Sequence, residues 1–326
     1  MVVEDKIYGV VTAKDPVFAE LSESSSLQRL KGVTQQGMPR AYYHQEVFSR
    51  FDHSVGVFLL LRRLEAGLEE QVAGLLHDVS HTAFSHVVDW VIGDPSKEDH
   101  QDSIFSEYLK NSEIPAILGR NDLQSEQFYD LTGFSLLERE LPSLCADRID
   151  YALREMAGIC DQEQILRILE DLTVEDDQIV FRSAEVAEEF GQWFAKLQRE
   201  HWAGDKQRAR YYVLSRVLKT ALSEGCLSRD DFFATDQEVM DILESSRSPG
   251  IKKGIGMLRK DLEVKETGAG QAVKLPKKFR YVDPEVLSRG RIKKLSSLSG
   301  RYRDLLVEEQ KINDRKNMTP VVISWV

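Results

Sequence analysis

The sequence predicts an all-α fold: a helical bundle with one small β-hairpin and a smaller α+β lobe at the C-terminal end. Three observations lead there. Apolar residues recur at helical spacing, as at Val72, Leu75 and Leu76, which puts them on one helix face. The stretch from His53 to Leu64 is dense in Val, Phe and Leu and reads as a buried helix. Strand-like runs are short and few, confined to the neighbourhood of Leu172–Arg182 and to the region beyond Gly250.

Taken in order, a helix is expected from about Glu69 into His77 and Asp78. Others are expected over Ser85–Ile92, His100–Leu109, Pro142–Ala157, Ser183–Trp202, Lys206–Glu224 and Gln237–Ser245. Pro142 suits a helix start, where the missing N–H has no partner to lose. Leu172–Val174, a turn at Glu175–Gln178 and Ile179–Arg182 read as a hairpin. Composition changes at Ser246–Gly250. That change divides the chain into a domain of residues 1–245, with its core at 28–160, and a C-terminal lobe of residues 246–326. The lobe carries Gly254, Gly256, Gly268 and Gly270, a possible strand at Lys278–Val282, a charged helix over Arg301–Lys316 and an apolar strand-like tail, Pro320–Trp325.

The 326 residues are 42% hydrophobic and 30% charged, enough for one large domain or one domain plus a small lobe. The run Val57–Leu61 is stopped by Arg62 and Arg63, far short of the roughly 18 residues a membrane span needs. No basic segment followed by an apolar core opens the chain, so no secretory signal is expected. Cys145, Cys160 and Cys226 are too far apart for a disulfide framework or a cysteine zinc site. A reducing, cytoplasmic setting is the expectation. The net charge of −11 argues against general nucleic-acid binding. Residues 250–300, however, carry 13 basic against 5 acidic side chains, and any nucleic-acid contact would come through them. The clusters are Lys252-Lys253, Lys277-Lys278-Phe279-Arg280 and Arg289-Gly290-Arg291-Ile292-Lys293-Lys294. They read either as a solvated lysine-rich surface or as a patch attracting polyphosphates or an acidic partner.

The chemistry concentrates in His77-Asp78-Val79-Ser80-His81-Thr82-Ala83-Phe84-Ser85-His86. Five of the seven histidines lie between His53 and His100; His44 and His201 lie outside and read as ordinary residues. The ordered set His53, His77-Asp78 and Asp147 offers imidazole nitrogen and carboxylate oxygen without thiolate. Such donors suit one divalent ion among Mn, Fe, Ni, Co, Zn and Mg. Burying these groups without a metal or partners would cost several kcal/mol.

The pattern resembles the HD superfamily of metal-dependent phosphohydrolases, with His53, His77, Asp78 and Asp147 as implied ligands in an HD-domain helical bundle. More of the chain is similar to one branch, the deoxynucleoside triphosphate triphosphohydrolases. Gln28-Arg29-Leu30-Lys31, Tyr42-Tyr43 and Arg50-Phe51-Asp52-His53-Ser54-Val55-Gly56-Val57 look like its opening. His77 through His86 matches its H-D-x-G-H-G-P-F-S-H segment, and Asp147-Arg148-Ile149-Asp150-Tyr151 its closing aspartate motif. The resemblance spans roughly residues 15 to 245 and is strongest over 28–155.

The resemblance implies roles. His81, His86, Asp89 and His100 match positions that support or perform catalysis. His86 would be the general acid to the leaving oxygen, and Asp89 and His100 would tune it. Arg50, Arg148 and Tyr151 match phosphate-contacting positions, and Gln35 and Glu155 sugar-contacting ones. Plainer readings stand beside these: an ion pair for Arg50 or Arg148, a core aromatic for Tyr151, and solvated helix positions for Gln35 and Glu155. The implied reaction is attack of water at the α-phosphorus, giving nucleoside and triphosphate, and the implied assembly is a homo-oligomer. Alternatives are a nucleotidase or phosphodiesterase on another nucleotide, or a non-catalytic nucleotide- or partner-binding module.

The chain departs from the pattern in places. Ser80, Thr82 and Ala83 replace two glycines and a proline, which stiffens the loop. His100 is followed by Gln101 where the branch has glutamate. Gln36 replaces a small apolar residue beside the sugar, which weakens strict deoxyribose selection. Arg210 stands where a phosphate-contacting tyrosine is expected.

Overall fold

The computed structural model describes residues 1–43, 47–266 and 272–325; His44, Gly268 and Gly270 fall outside them. Helix makes up 56% of the structure, and the sheets are small, as the all-α expectation requires.

The central helix, Arg50–Arg63, starts at a capping box. Ser49 Oγ accepts the Asp52 N–H, and the Asp52 carboxylate accepts the Ser49 N–H, satisfying two donors that a helix start leaves bare. The helix is buried on nearly every side from His53 to Leu61, as its apolar density predicts. It packs against Leu68–Leu76 at Gly74, where a Cβ would collide with Leu61. That close approach brings His77, the residue ending the second helix, beside His53. On another side lies Ala146–Met156, and Gly56 leaves the space that Asp150 and Arg154 occupy. Three helices thus bring residues 53, 77 and 147 to one point.

The expected hairpin forms, as Leu172–Glu175 and Gln178–Phe181. Its turn residues Asp176 and Asp177 both have positive φ, the backbone a two-residue hairpin turn demands. Most expected helices form with shifted ends: His100–Lys110, Ala184–Leu197, Asp205–Ser223, Asp236–Ser245 and Gly300–Met318. A π-helical turn, Gln198–Trp202, extends the Ala184–Leu197 helix and carries Trp202.

Several expectations need correction. Ser85–Ile92 is a short 3-10 turn, Ser85–Val87, followed by one helical turn, Asp89–Ile92. Phe84 and Ser85 have φ of 61° and 45°, which a continuous helix does not accommodate. Pro142 does not start a helix. The helix begins at Ala146, and the Pro142 carbonyl accepts the Asp283 N–H. Lys278–Val282 is not a strand. The Lys278 and Val282 carbonyls accept from the Gln198 and Tyr302 side chains, and the strands come later, at Glu285–Ser288 and Arg291–Lys294. Among the described residues, the helices Pro16–Ser22, Ser25–Arg29, Ile114–Arg120, Gln162–Asp171, Pro249–Leu258 and Leu295–Leu298 were not read from the sequence. Nor was the hairpin of Val2–Asp5 with Gly9–Thr12.

Buried side chains form two clusters. One surrounds the Arg50–Arg63, Leu68–Leu76, Ala146–Met156 and Ala184–Leu197 helices. The other surrounds Asp205–Ser223, Asp236–Ser245 and Pro249–Leu258. Residues past Ser246 spread over both. Glu285–Ser288 joins the hairpin sheet in parallel, pairing Val286 with Phe181. The tail strand Val321–Trp325 pairs with Leu262–Glu266 on the second cluster. Among the described residues no helix is long and apolar enough to cross a membrane.

Candidate metal centre

His53, His77 and Asp147 offer one donor atom each to a common point. His53 Nε2 lies 3.2 Å from His77 Nε2 and 2.9 Å from Asp147 Oδ1. The other nitrogen of each ring is already committed. His53 Nδ1 lies 2.7 Å from Asp150 Oδ2, and His77 Nδ1 lies 2.8 Å from the Gly74 carbonyl oxygen. Both acceptors lack a proton, so each Nδ1 carries one and each Nε2 presents a lone pair. Two nitrogen lone pairs and a carboxylate oxygen then face one another at hydrogen-bond distance, an arrangement that calls for a cation between them. Asp78 flanks the group, with Oδ1 3.4 Å from His77 Nε2 and Oδ2 3.8 Å from His53 Nε2. The donor set fits a divalent ion.

The titration behaviour of these groups agrees. Burial opposes protonation of His77, but the Asp78 charge and Asp147 outweigh it and push its pKa up to about 9. His53 is raised in the same sense by Asp147 and Asp150 against its burial. Burial also works against charge on Asp78 and Asp147, yet Arg50 holds the first well below the usual carboxylate range and the two histidines hold the second there. The site attracts positive charge, which a metal supplies in place of protons.

Comparison with known proteins agrees with the geometry. Residues 50–154 match the HD domain family. Protein YdhJ of Bacillus subtilis is 36% identical, covering 94% of each chain. The metal-dependent phosphohydrolase cns2 of Cordyceps militaris is 31% identical over 89% of this chain and 86% of its own. The chain belongs to the HD-domain metal-dependent phosphohydrolases. A phosphohydrolase structure from Bacteroides thetaiotaomicron shares the fold with a TM-score of 0.72 at 17% identity, covering 100% of this chain and 99% of that one. Similarity to the deoxynucleoside triphosphate triphosphohydrolase SAMHD1 homolog of Dictyostelium discoideum is partial, 24% over 57% of this chain and 42% of that protein.

In this phosphohydrolase the donors His77, Asp78 and Asp147 open onto a cavity of about 1190 Å³, with His53 buried behind them. Arg50, His81, His86, Arg148, Tyr151, Gln35 and Glu155 all line it; Asp89 and His100 do not. Arg50 is buried and binds Asp78 Oδ2 at 2.6 Å and Ser85 Oγ at 3.0 Å. Arg148 bonds to Glu138 at 2.5 Å and Cys145 Sγ at 2.9 Å. Both arginines are therefore ion-paired as well as cavity-facing. Glu138, Cys145 and Asp147 also lie close enough to share a cation, and the Arg148 guanidinium is bonded to two of them. Tyr151 packs between His53, Phe194 and Trp202 while lining the cavity.

On the cavity wall, His81 Nε2 lies 3.3 Å from Asp78 Oδ1. Burial, then the Arg50 charge, lowers the His81 pKa to about 3. His86 meets His81 edge-on and holds Asp89 Oδ2 through Nδ1 at 3.2 Å. Burial lowers its pKa too, so it rests neutral. His100 donates its backbone N–H to Asp89 Oδ1 at 3.0 Å. The Phe84–Ser85 kink that aims His86 is held by Asp236, which accepts the Phe84 N–H, and by Ser85 Oγ donating to the Thr34 carbonyl. Left-handed backbone at such residues costs roughly 1–2 kcal/mol each, and these bonds offset it.

At the far end Gln36 Nε2 donates to Glu155 at 3.1 Å, and Trp202 Nε1 donates to the same oxygen at 3.4 Å. Arg210 does not enter the cavity: its guanidinium bonds to the Tyr42 carbonyl. Its neighbour Tyr211 lines the cavity instead and donates to the Gln36 carbonyl at 2.7 Å. Sequence reasoning also missed Glu98, Lys277, Lys278 and Arg280 as cavity residues. The basic run was visible. Its address was not, and for Lys277, only 3% exposed, the solvated-surface reading is overturned.

Proposed function

We propose that this phosphohydrolase acts on nucleotides, with nucleoside triphosphates as the leading substrates and the deoxynucleotides implied by the resemblance foremost. One observation carries the reading. The donors His77, Asp78 and Asp147 share a cavity lined both by cations and by an amide–aromatic group, Gln35, Gln36, Tyr43 and Trp202. Phosphate suits the first and a sugar with its planar base the second. The 1190 Å³ volume exceeds what a drug-sized ligand needs.

When bound, the divalent ion held by His53, His77, Asp78 and Asp147 supplies Lewis acidity toward a phosphoryl oxygen and lowers the pKa of water. The chain's own residues do the rest. Arg50 and Arg148 face the developing phosphoryl charge from fixed positions, so no reorganisation is needed as it grows. His86, neutral at rest and oriented by Asp89, takes up the proton released by the attacking water. It then delivers that proton to the departing ester oxygen.

Product analysis tests this. Metal-analysed protein is incubated with each dNTP, NTP and NMP under Mn, Mg, Fe, Co or Ni. Nucleoside plus triphosphate is the expected outcome. Phosphate from monophosphates alone would replace it with a nucleotidase, and no product from any nucleotide would overturn the reading.

A further inference from the structure

The segment from Leu275 to Val282 lines the cavity, and side chains of other elements hold its backbone at several points. The buried guanidinium of Arg208 donates to the Leu275 carbonyl. Asn317 clamps the backbone of one residue on both sides, accepting the Lys277 N–H at 3.2 Å and donating to the Lys277 carbonyl at 3.1 Å. Gln198 Nε2 donates to the Lys278 carbonyl at 3.2 Å, and Tyr302 Oη to the Val282 carbonyl at 2.7 Å. With the main chain pinned from outside, the side chains of Lys277, Lys278 and Arg280 are left to line the cavity.

Three cations in four residues meet a single buried carboxylate. Glu98 bonds to Lys277 Nζ at 2.7 Å and to Arg280. Lys277 Nζ also sits 3.9 Å above the centre of the Tyr211 ring. Glu98 itself has φ of 54° and is buried, so the chain accepts a strained backbone to put that carboxylate there. Among the described residues no hydrogen bond or close ion pair engages the Lys278 ammonium, though it too lines the cavity and feels Glu98, Asp102 and Glu138 at a distance. Glu98 pairs directly with two of the three cations, while Asp102 and Glu138 reach Lys278 only through space, and cations in a partly desolvated site attract an anion.

We propose that this strap is an anion subsite of the cavity that takes a phosphate group, with Lys278 and Arg280 as its contacts and Glu98 as the internal counter-charge. The proposal rests on the nucleotide reading only for the identity of the phosphate's owner. That phosphate belongs either to the tail of a polyphosphate or to a monoester.

Calorimetric titration of the full-length, metal-loaded protein with inorganic phosphate and with tripolyphosphate tests it. Lys278→Met should weaken anion binding by about tenfold, the worth of one charge-assisted contact. Glu98→Gln, by removing the competing carboxylate, should tighten it. Circular dichroism and metal content confirm that both variants fold. Weakening seen with tripolyphosphate alone identifies a polyphosphate tail; weakening with both anions identifies a monoester phosphate. A folded Lys278→Met that binds both anions like the wild type overturns the subsite. If no nucleotide is hydrolysed while anion binding still follows Lys278 and Glu98, the nucleotide reading fails and the subsite stands.

Discussion

The two ends of the cavity are built on opposite terms. At the metal end, both outer histidine nitrogens are committed, and Asp150, the partner of His53, is itself held by Tyr8 Oη at 2.8 Å and Arg154 Nε at 2.7 Å. At the amide end, Gln35, Gln36 and Gln207 each keep a buried Oε1 without a partner. An unsatisfied buried polar atom costs about 1–3 kcal/mol. The first end is held in place by its own hydrogen bonds, whereas the second leaves acceptors open among the described residues. On the proposed nucleotide reading, chemistry belongs to the first end and selectivity to the second.

The largest expected effect breaks the rigid end outright. Replacing His77 and Asp78 together by alanine should abolish metal content and lower turnover by at least about 1,000-fold, as expected of groups that act as a unit. Turnover that survives loss of the metal would sink the assignment of this end as the chemical one.

The comparison also explains what the sequence could show. His77 and Asp78 were legible because their neighbours Val72, Leu75 and Leu76 set a helix phase that delivers them to the core. Asp147 was legible through its short motif. Pro142 misled because a local rule about helix starts says nothing about Asp283, which uses the Pro142 carbonyl from 141 positions away. The strap was illegible for the same reason. A run of lysines has no periodicity, and Glu98, the residue that draws Lys277 inward, is remote in sequence. The strand expected at Lys278–Val282 missed a nearer signal: Arg289-Gly290, both with positive φ, is the two-residue turn joining the true strands. Arg210 was one residue from Tyr211, and only the helix phase in three dimensions decides which of them enters the cavity.

The next effect belongs to the amide end. Burial raises the Glu155 pKa to about 7 from 4.5, against hydrogen bonds from Gln36 and Trp202 that lower it. Between those values the folded chain keeps a proton that the unfolded chain has released. Stability therefore falls as pH rises from about 4.5 to 7 and levels off above. The gap corresponds to roughly 3 kcal/mol. Urea unfolding at pH 5 and pH 8 should show this loss in the wild type and a smaller one in Glu155→Gln. Equal losses in both would mean that Glu155 is not held neutral by its surroundings.

A subtler change sharpens the rigid end. Asp150→Asn leaves every donor facing the metal but removes the carboxylate behind His53 and the charge that Arg154 pairs with. Loss of such a supporting group lowers metal affinity by about 10- to 100-fold. Competition with a chelator measures it directly. An unchanged affinity would show that the lone-pair orientation of His53 is fixed by packing alone.

The smallest effect separates the two ends most cleanly. Gln36→Leu removes one bare Oε1 and one donor to Glu155 while touching nothing within reach of the metal donors. Metal content should stay at the wild-type level. The ratio of ribonucleotide to deoxyribonucleotide turnover should fall by about tenfold, the worth of one neutral hydrogen bond to a sugar hydroxyl. Glu155 then depends on Trp202 alone, so Gln36→Leu and Glu155→Gln should be non-additive in stability, as expected for residues sharing one hydrogen bond. Additive stabilities with an unchanged sugar ratio would place the ligand away from Gln36 and leave its bare oxygen as a feature of the fold alone.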